Sequence, residues 1–365
     1  MFDYKYLSVK HLKGFNNYKY SAIDTSPLSK YVMHPTWNTL VKIVPRWVAP
    51  NLLTFAGFLC MLVNVVLLTI YDYDLTASAD GAQGLPRGIF TLCGVLLFLA
   101  YHLDGIDGKQ ARRIGVSGPL GEMFDHGIDS YIVFLIPFCL FSVFGRDRYS
   151  IPEFSITRDR TYDLKDKIRM LKVQVASIIF LVAGVNGPEV YKTYVYGELT
   201  FVQGLELAIH TTGLFTTLPV AVYNVYLSYK KRTGKMHPLV DALRPLWPML
   251  IMTSLMTTWA ASSDIMMRDL RAFLMLFGTL FSNIASRLIV AEMSDQCCDT
   301  ISWLNIPLAF GIGLAIQLPG YELAILYILT AFTISAHIHY GVCVVRQMCD
   351  HFKIQCFRVP KDKRK

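Results

Sequence analysis

The chain has 365 residues and a formal net charge of +8; 53% of its residues are hydrophobic and only 17% are charged. Average soluble domains carry about 25% charged residues, whereas here the mean hydropathy is positive at +0.39. The composition indicates a membrane protein. The positive residues lie in loops and tails, which fits anionic lipid headgroups better than nucleic acid. The eight cysteines form no CxxC pair, so we interpret them as free thiols.

The first 42 residues are polar and aromatic, without the basic start, short apolar core and cleavage site of a signal peptide. We therefore expect a cytosolic N-terminus. Within "YVMHPTWNTLVKIVPRWVAP" large apolar residues recur at helical spacing and alternate with basic ones: Trp37, Leu40, Val41, Val44 and Trp47 with Lys42 and Arg46. This pattern predicts an amphipathic helix at the membrane interface.

Apolar runs long enough to cross a bilayer, which takes about 20 residues, follow this helix. The candidates are Val48–Tyr71, Arg87–Leu103, Phe124–Phe144, Val173–Gly187, Leu205–Leu227, Leu246–Ala261, Ala272–Ala291, Trp303–Leu318 and Leu323–Val345. The sequence thus predicts an all-α polytopic membrane protein with about nine transmembrane helices.

Lysines and arginines in the short loops give the orientation of the first spans. The loop "DYDLTASADGAQGLP" contains neither residue, so it is expected outside the cytosol. The loop after the second candidate span contains Lys109, Arg112 and Arg113, so it is expected in the cytosol.

The segment 146–172 breaks this simple arrangement. It has 13 charged residues in 27, eight of them basic, and cannot cross a bilayer as a helix. With nine crossings, the basic stretches "SYKKRTGKMHP" and "KDKRK" would both lie outside, against the charge rule. One more crossing between Phe144 and Val173 would return them to the cytosol. We infer that the chain lacks a span, unless one weak candidate is re-entrant or the rule fails.

Four aspartates stand where one apolar run ends and the next begins. Asp104 and Asp107 are three residues apart, and Asp125 and Asp129 are four apart, so each pair shares one face of a helix. The connecting segment "GKQARRIGVSGPLGEM" is rich in glycine and is expected to fold back and bring the pairs together. Converging carboxylates repel one another unless positive charge lies among them. Hard divalent cations that also bind a diphosphate would supply it, whereas helix caps paired with arginines are the plain alternative.

This segment resembles the signature of a known family. The residues Asp104, Asp107, Gly108, Ala111, Arg112, Gly121, Asp125 and Asp129 match the pattern DxxDGxxAR, eight residues, GxxxDxxxD of the CDP-alcohol phosphotransferases. The flanking "DGKQARR" and "PLGEMFDHGIDS" resemble its eukaryotic choline and ethanolamine branch. The late "AHIHYGVCVVRQM" is most similar to animal ethanolamine phosphotransferases of the selenoprotein I type. The resemblance is lost between Arg146 and Lys172, where the family has another span.

The resemblance implies a reaction and a cofactor. Phosphoethanolamine would pass from CDP-ethanolamine to the hydroxyl of diacylglycerol, giving phosphatidylethanolamine and CMP. Two Mg²⁺ or Mn²⁺ ions would be held by Asp104, Asp107, Asp125 and Asp129.

Further roles follow from the same resemblance. Gly108, Ala111 and Gly121 would let the cytidine approach the backbone, and Lys109 and Arg112 would contact phosphate. Asn51 is a candidate nucleotide contact or a helix N-cap. His126 with Glu122 resembles the base proposed for this branch, and Asp129 is the alternative base.

The chain then divides as follows: cytosolic N-terminus with interfacial helix (1–47), catalytic helices (48–145), charged segment outside the membrane (146–172), remaining spans (173–345) and basic cytosolic tail (346–365). The tail ends in "KDKRK", which resembles a dilysine retrieval signal. We expect a protein of the endoplasmic reticulum or Golgi membrane with its site facing the cytosol, and the resemblance suggests a homodimer.

Other readings of the aspartates remain open. A transporter would usually show two related halves, and no internal repeat of the aspartate segment is visible here. A membrane prenyltransferase would carry two well-separated aspartate motifs, whereas one block of 26 residues carries all four aspartates here. A choline or dual-specificity enzyme shares the same aspartate block. The absent span also leaves open a catalytically impaired isoform that acts as a membrane partner protein.

Overall fold

The computed structural model describes residues 3–18, 29–77, 84–145, 162–197, 199–212, 215, 218–233 and 238–363. Its helices are α1 Val9–Asn16, α2 His34–Ile43, α3 Pro50–Tyr71, α4 Arg87–Ile114, α5 Pro119–Phe144, α6 Tyr162–Asn186, α7 Phe201–Thr212, α8 Leu218–Lys231, α9 Leu239–Leu243, α10 Leu246–Ser262, α11 Ile265–Arg268, α12 Leu270–Met293, α13 Asn305–Gln317 and α14 Glu322–Phe352. One short antiparallel hairpin joins β1 Tyr194–Tyr196 to β2 Leu199–Thr200.

Five of the helices in this part of the chain are long and apolar enough to cross a membrane, judged by length and composition: α3, α4, α5, α12 and the helical region Pro319–Phe352 that contains α14. Two shorter apolar helices cover Gln174–Asn186 and Asn305–Gln317. The predicted class, an all-α polytopic membrane protein, is confirmed. The number of nine crossings stays a prediction.

Two predicted elements differ in the structure. The single span expected over Leu205–Leu227 is two helices, α7 and α8. The sequence between them contains Gly213, a poor helix former, and Pro219 stands in the first turn of α8, where proline is tolerated. The long glycine-rich loop expected between the aspartate pairs is also shorter, because α4 continues as far as Ile114 and α5 already begins at Pro119.

The turn between α4 and α5 spans only residues 115–118. Gly115 ends α4 in the left-handed conformation (φ +67°), which glycine adopts without steric cost. Pro119 occupies the first turn of α5, where its missing N–H leaves no helical hydrogen bond unmade. The tight turn sets the two aspartate-bearing helices side by side.

Helix α2 packs on α4 beside the aspartates. The Trp37 indole is 2% exposed and lies so close to Gly105 that a Cβ there would overlap it. The Arg113 guanidinium donates to the backbone oxygens of Val41 (2.6 Å) and Val44 (2.7 Å), the last carbonyls of α2. The apolar side of α2 therefore faces α4, while Trp47 beyond its end is 64% exposed.

A buried arginine of α12 binds the C-terminal end of α3. Arg271 is 4% exposed and donates to the backbone oxygens of Asp72 (2.5 Å) and Tyr73 (2.8 Å) and to Thr69 Oγ1 (3.0 Å). These bonds satisfy backbone carbonyls that the end of a helix leaves without intrahelical partners.

Both termini lie at the end of the helices that carries the α4–α5 turn. Near the N-terminus, the backbone N–H of Tyr6 donates to Gln347 Oε1 (2.9 Å) near the end of α14. Beyond α14, the backbone oxygen of Cys356 accepts from Asn51 Nδ2 (3.1 Å) at the start of α3. The N-terminal residues, the turn and the C-terminal residues therefore share one end of the bundle.

Helices α5 and α6 run in the same direction. Phe144, which ends α5, contacts the ring of Tyr191 beyond the end of α6 (centroids 5.6 Å apart). Near that end Arg87 donates to the backbone oxygen of Val185 (3.4 Å), whereas Gln174 earlier in α6 donates to Met33 Sδ (3.1 Å) beside α2. The connection from Phe144 to α6 thus joins opposite ends of the bundle. Residues 146–161, most of the predicted charged segment, lie outside the described residues.

We predict that Gly105→Val lowers the thermal stability of the detergent-solubilised protein by several degrees. The added side chain overlaps the Trp37 indole, and overpacking of this kind costs about 1–3 kcal/mol. Thermal unfolding followed by tryptophan fluorescence is the measurement. The matched control is Gly341→Val on α14, where a Cβ meets nothing within 4 Å. Equal unfolding temperatures for both variants would contradict the packing argument.

Candidate active site

The structure brings the four predicted aspartates together at one end of α4 and α5. One carboxylate oxygen from each of Asp104, Asp107 and Asp125 lies within 4.8 Å of the other two. Asp125, His126 and Asp129 form a second such group with the same spacing. Because Asp125 belongs to both groups, the residues make one continuous cluster.

Asp107 is held on both sides by hydrogen bonds. It is 9% exposed, and Thr54 Oγ1 on α3 donates to its Oδ2 (2.5 Å). The backbone N–H of Gly108 donates to its Oδ1. Such donors stabilise the ionised form of a carboxylate and fix its orientation. Thr54 belongs to the site although the motif did not reveal it.

The cluster fits hard divalent cations. Its donors are carboxylate oxygens, which Mg²⁺ and Mn²⁺ prefer over nitrogen or sulfur. Oxygens bound to one Mg²⁺ ion stand at most about 4.2 Å apart. Three of these side chains have oxygens within 4.8 Å of one another, so small side-chain rotations would let them share an ion. The two overlapping groups would suit two neighbouring ions. The acidic cluster therefore supports the expected chemistry of the cofactor.

His126 lies between the aspartates and Glu122. Its Nε2 is 3.6 Å from Glu122 Oε1, one helical turn earlier. Its Nδ1 is 3.8 Å from Asp125 Oδ2 and 3.9 Å from Asp129 Oδ2. The side chain of His126 is 31% exposed and that of Glu122 is 13% exposed. The imidazole thus has one nitrogen toward Glu122 and the other toward Asp125 and Asp129.

Glu122 has a further contact that sequence analysis did not reveal. The hydroxyl of Tyr18, beyond the end of α1, donates to Glu122 Oε1. The two residues are 104 positions apart in sequence. No local pattern around either residue signals this pairing.

The residues expected to bind the nucleotide lie in two groups in the structure, one around Gly121 and one around Gly108, and Lys109 has a separate contact. Asn51 Oδ1 lies 3.4 Å from where a Cβ on Gly121 would stand, so these two residues are neighbours. Arg112 Nη1 lies 3.5 Å from the corresponding position on Gly108, and Ala111 is half-buried beside it. Lys109 instead donates to Asn38 Oδ1 on α2 (2.7 Å). Its ammonium group therefore also contacts α2, and because an ammonium group has three donors, a phosphate contact is compatible with this bond.

Residues after α14 close one side of the site. The ring of Phe357 lies 5.7 Å from that of Phe55 on α3 and 5.6 Å from that of Phe124 on α5, measured between centroids. Phe55 follows Thr54, which binds Asp107, and Phe124 precedes Asp125. Asn51 also donates to Cys356 Sγ (3.4 Å). Burial raises the pKa of the Cys356 thiol to about 11, so this thiol stays protonated and neutral at physiological pH. The predicted tail thus packs on the catalytic helices.

Helical spans with an acidic cluster suited to divalent ions at one end are typical of membrane enzymes that act on phosphate-containing substrates. Comparison with known proteins defines the family. Residues 47–162 match the CDP-alcohol phosphatidyltransferase family. The mouse and human proteins named ethanolaminephosphotransferase 1 are 39% and 40% identical to this chain, over 99% of its length and 96% of theirs. The Arabidopsis thaliana protein named choline/ethanolaminephosphotransferase 1 is 27% identical over 98% of the chain and 99% of its own length.

The chain belongs to the CDP-alcohol phosphatidyltransferase family and is a transferase of this class. The match covers the aspartate segment, and the full-length similarity extends to the N-terminal residues and to the residues after α14. The family resemblance seen in the sequence is confirmed.

We predict that Thr54→Val weakens Mn²⁺ binding about tenfold. Groups that hydrogen-bond to metal ligands orient those ligands, and their loss typically costs 10–100-fold in affinity. Binding can be measured directly on the purified protein from the electron paramagnetic resonance signal of free Mn²⁺. Thr54→Ser keeps the hydroxyl that reaches Asp107 and should bind Mn²⁺ as the unmodified chain does. Unchanged affinity in Thr54→Val would remove Thr54 from the metal site.

Proposed function

We propose that this chain transfers phosphoethanolamine from CDP-ethanolamine to diacylglycerol, forming phosphatidylethanolamine and CMP. The observation that carries the proposal is the convergence of Asp104, Asp107 and Asp125 within 4.8 Å in a chain of this family. The names of the mouse and human relatives favour ethanolamine over choline as the headgroup, and these relatives are more similar to the chain than the plant choline/ethanolamine protein is.

In this proposal Asp104, Asp107, Asp125 and Asp129 hold two divalent ions, Mg²⁺ or Mn²⁺. When bound, the ions neutralise the diphosphate and stabilise the charge that develops on the departing CMP. Thr54 and the Gly108 N–H keep Asp107 oriented for this task. The burial of Asp107 and Asp129, at 9% and 8% exposure, excludes much of the surrounding water.

The nucleotide would lie against Gly108, Ala111 and Gly121. The missing side chains at the two glycines leave the backbone open to a close ligand. Asn51 beside Gly121 would contact the nucleotide, and Arg112 beside Gly108 would offer a forked donor to its phosphate. Lys109 would contact phosphate with donors of its ammonium group other than the one bound to Asn38.

His126 is the proposed general base, oriented by Glu122. In the neutral imidazole, Nε2–H would be directed to the Glu122 carboxylate. The lone pair of Nδ1 would then face Asp125 and Asp129. An acceptor hydroxyl placed there would give its proton to Nδ1 as its oxygen attacks phosphorus. The Glu122 carboxylate then stabilises the imidazolium. This geometry favours His126 over Asp129 as the base, because Asp129 is occupied beside the metal-binding cluster.

The length of the chain bears on its activity. The alignment with the human relative spans 384 positions and covers 99% of 365 residues, about 361, so roughly 23 positions of the relative have no counterpart here. That number is close to the ~20 residues of one transmembrane helix, and it supports the proposed loss of a crossing between α5 and α6. The aspartate cluster is complete without that crossing, which favours an active enzyme over an impaired isoform.

We place the site at the cytosolic face of the endoplasmic reticulum or Golgi membrane. Arg112 and Arg113 mark the end of the bundle that carries the aspartates, and basic residues favour the cytosolic side. The residues before α1 and after α14 lie at this same end, so we expect both terminal segments on the cytosolic side with the site. A homodimer remains the expectation from the family resemblance.

Asp125→Asn is predicted to reduce the transfer of radiolabelled CDP-ethanolamine into lipid by more than about 100-fold, because the remaining carboxylates cannot hold the ions against the diphosphate. The assay uses microsomes with diacylglycerol and Mg²⁺, with CDP-choline as a parallel donor. Asp264→Asn, at an exposed position before α11, is the matched control and should retain activity. Full activity in Asp125→Asn would refute the metal role, and preferential use of CDP-choline would refute the headgroup.

Glycosylation tags test the orientation. A tag inserted after Thr76, beyond α3, should be glycosylated in microsomes, because the loop there carries no lysine or arginine and is expected in the lumen. A tag after Lys365 should stay unmodified. Glycosylation of the C-terminal tag would contradict a cytosolic site, because residues 356 and 357 pack against the helices that carry it.

A further inference from the structure

Residues 3–18 form a strap across the end of α12 and α14. The backbone N–H groups of Tyr6 and Leu7 both donate to Gln347 Oε1, at 2.9 and 3.0 Å. Later in the strap, Asn16 Oδ1 is 3.0 Å from His351 Nε2. Two separate hydrogen-bonded contacts therefore fix the strap to α14.

The middle of the strap is packed as tightly as a protein core. Gly14 lies so close to the backbone of Ser294 that a Cβ on it would overlap the Ser294 carbonyl. Phe15 is fully buried and belongs to one apolar cluster with Leu120 and Met123. Leu120 and Met123 flank Glu122 on α5, so the strap and the helical turn that carries Glu122 belong to the same apolar cluster.

Tyr18 ends the described strap and meets the proposed base pair. Its hydroxyl donates to Glu122 Oε1, the oxygen that lies 3.6 Å from His126 Nε2. A rigid strap on one side and a helical turn on the other thus hold a chain of three polar groups, tyrosine hydroxyl, carboxylate and imidazole. Hydrogen bonds to a charged group are stronger than those between neutral groups, so Tyr18 restricts the rotation of the Glu122 side chain.

We infer that Tyr18 is a positioning residue for the reaction: it holds the Glu122 carboxylate against His126, which leaves Nδ1 of His126 aimed at the acceptor hydroxyl. The inference rests on the proposed role of His126 and Glu122. Tyr18 itself touches neither nucleotide nor lipid in this account. Its loss should therefore slow catalysis without weakening the binding of either substrate.

The test compares Tyr18→Phe with Tyr6→Phe in the full chain. Both remove a phenolic hydroxyl from the strap, but the Tyr6 hydroxyl lies 2.9 Å from His339 Nδ1 rather than on Glu122. We expect kcat of Tyr18→Phe to fall about tenfold, the usual effect of one lost hydrogen bond to a charged group, with KM for both substrates unchanged. Tyr6→Phe should keep the kcat of the unmodified chain.

A double-variant cycle with Glu122→Gln separates positioning from general support of the fold. If Tyr18 acts through Glu122, adding Tyr18→Phe to Glu122→Gln should lower kcat by less than about twofold. A full tenfold further loss in the double variant would overturn the inference. So would equal kcat in Tyr18→Phe and Tyr6→Phe, or a loss in Tyr18→Phe that lies wholly in KM.

The choice of substrate and the metal role are tested separately from the role of Tyr18. If the unmodified chain prefers CDP-choline, the proposed headgroup is wrong, and the same comparison of kcat is made with CDP-choline as donor. If Asp125→Asn retains activity, the metal site fails while the tenfold difference between the two tyrosine variants still decides the role of Tyr18. Unchanged unfolding temperatures of both variants show that the fold is retained.

Discussion

The need to assemble several carboxylates beside apolar helices governs the rest of this structure. Acidic side chains within 4.8 Å of one another repel strongly, and burial removes the water that would screen them. Such a cluster is stable only if donors and cations compensate its charge. The structure supplies donors from α3 and from the backbone of α4, and it leaves a set of oxygens suited to divalent ions. The proposed metal-dependent chemistry would meet that electrostatic requirement.

Close packing between neighbouring helices, rather than the length of those helices, holds the aspartate cluster in place. The turn of residues 115–118 fixes α4 beside α5, and Gly105 lets the Trp37 indole seat α2 directly on α4. Arg113 then binds the last carbonyls of α2. At the far end, Arg271 does the same for α3. Small residues and arginine caps together keep carboxylates from different helices at a fixed separation.

The sequence predicted the cluster because its members follow local periodicity. Asp104 and Asp107, and likewise Asp125 and Asp129, share helix faces at three- and four-residue spacing. The sequence analysis overestimated the length of the connecting loop, because the apolar run ends at Leu103, whereas α4 continues through about three charged turns to Ile114. The partners of Glu122 and Asn51 were not predictable, because Tyr18 and Cys356 lie 104 and 305 positions away and only the tertiary fold brings them together.

Those distant contacts change the view of which residues make up the active site. The family match covers residues 47–162, yet Glu122 is bound by a residue before this range and Asn51 by one after it. Both outlying segments attach to α14 or continue from it, so α14 joins the N-terminal strap and the C-terminal residues to the aspartate-bearing helices. The proposed loss of one crossing would therefore leave this end of the bundle intact, because none of these contacts involves the interval between α5 and α6.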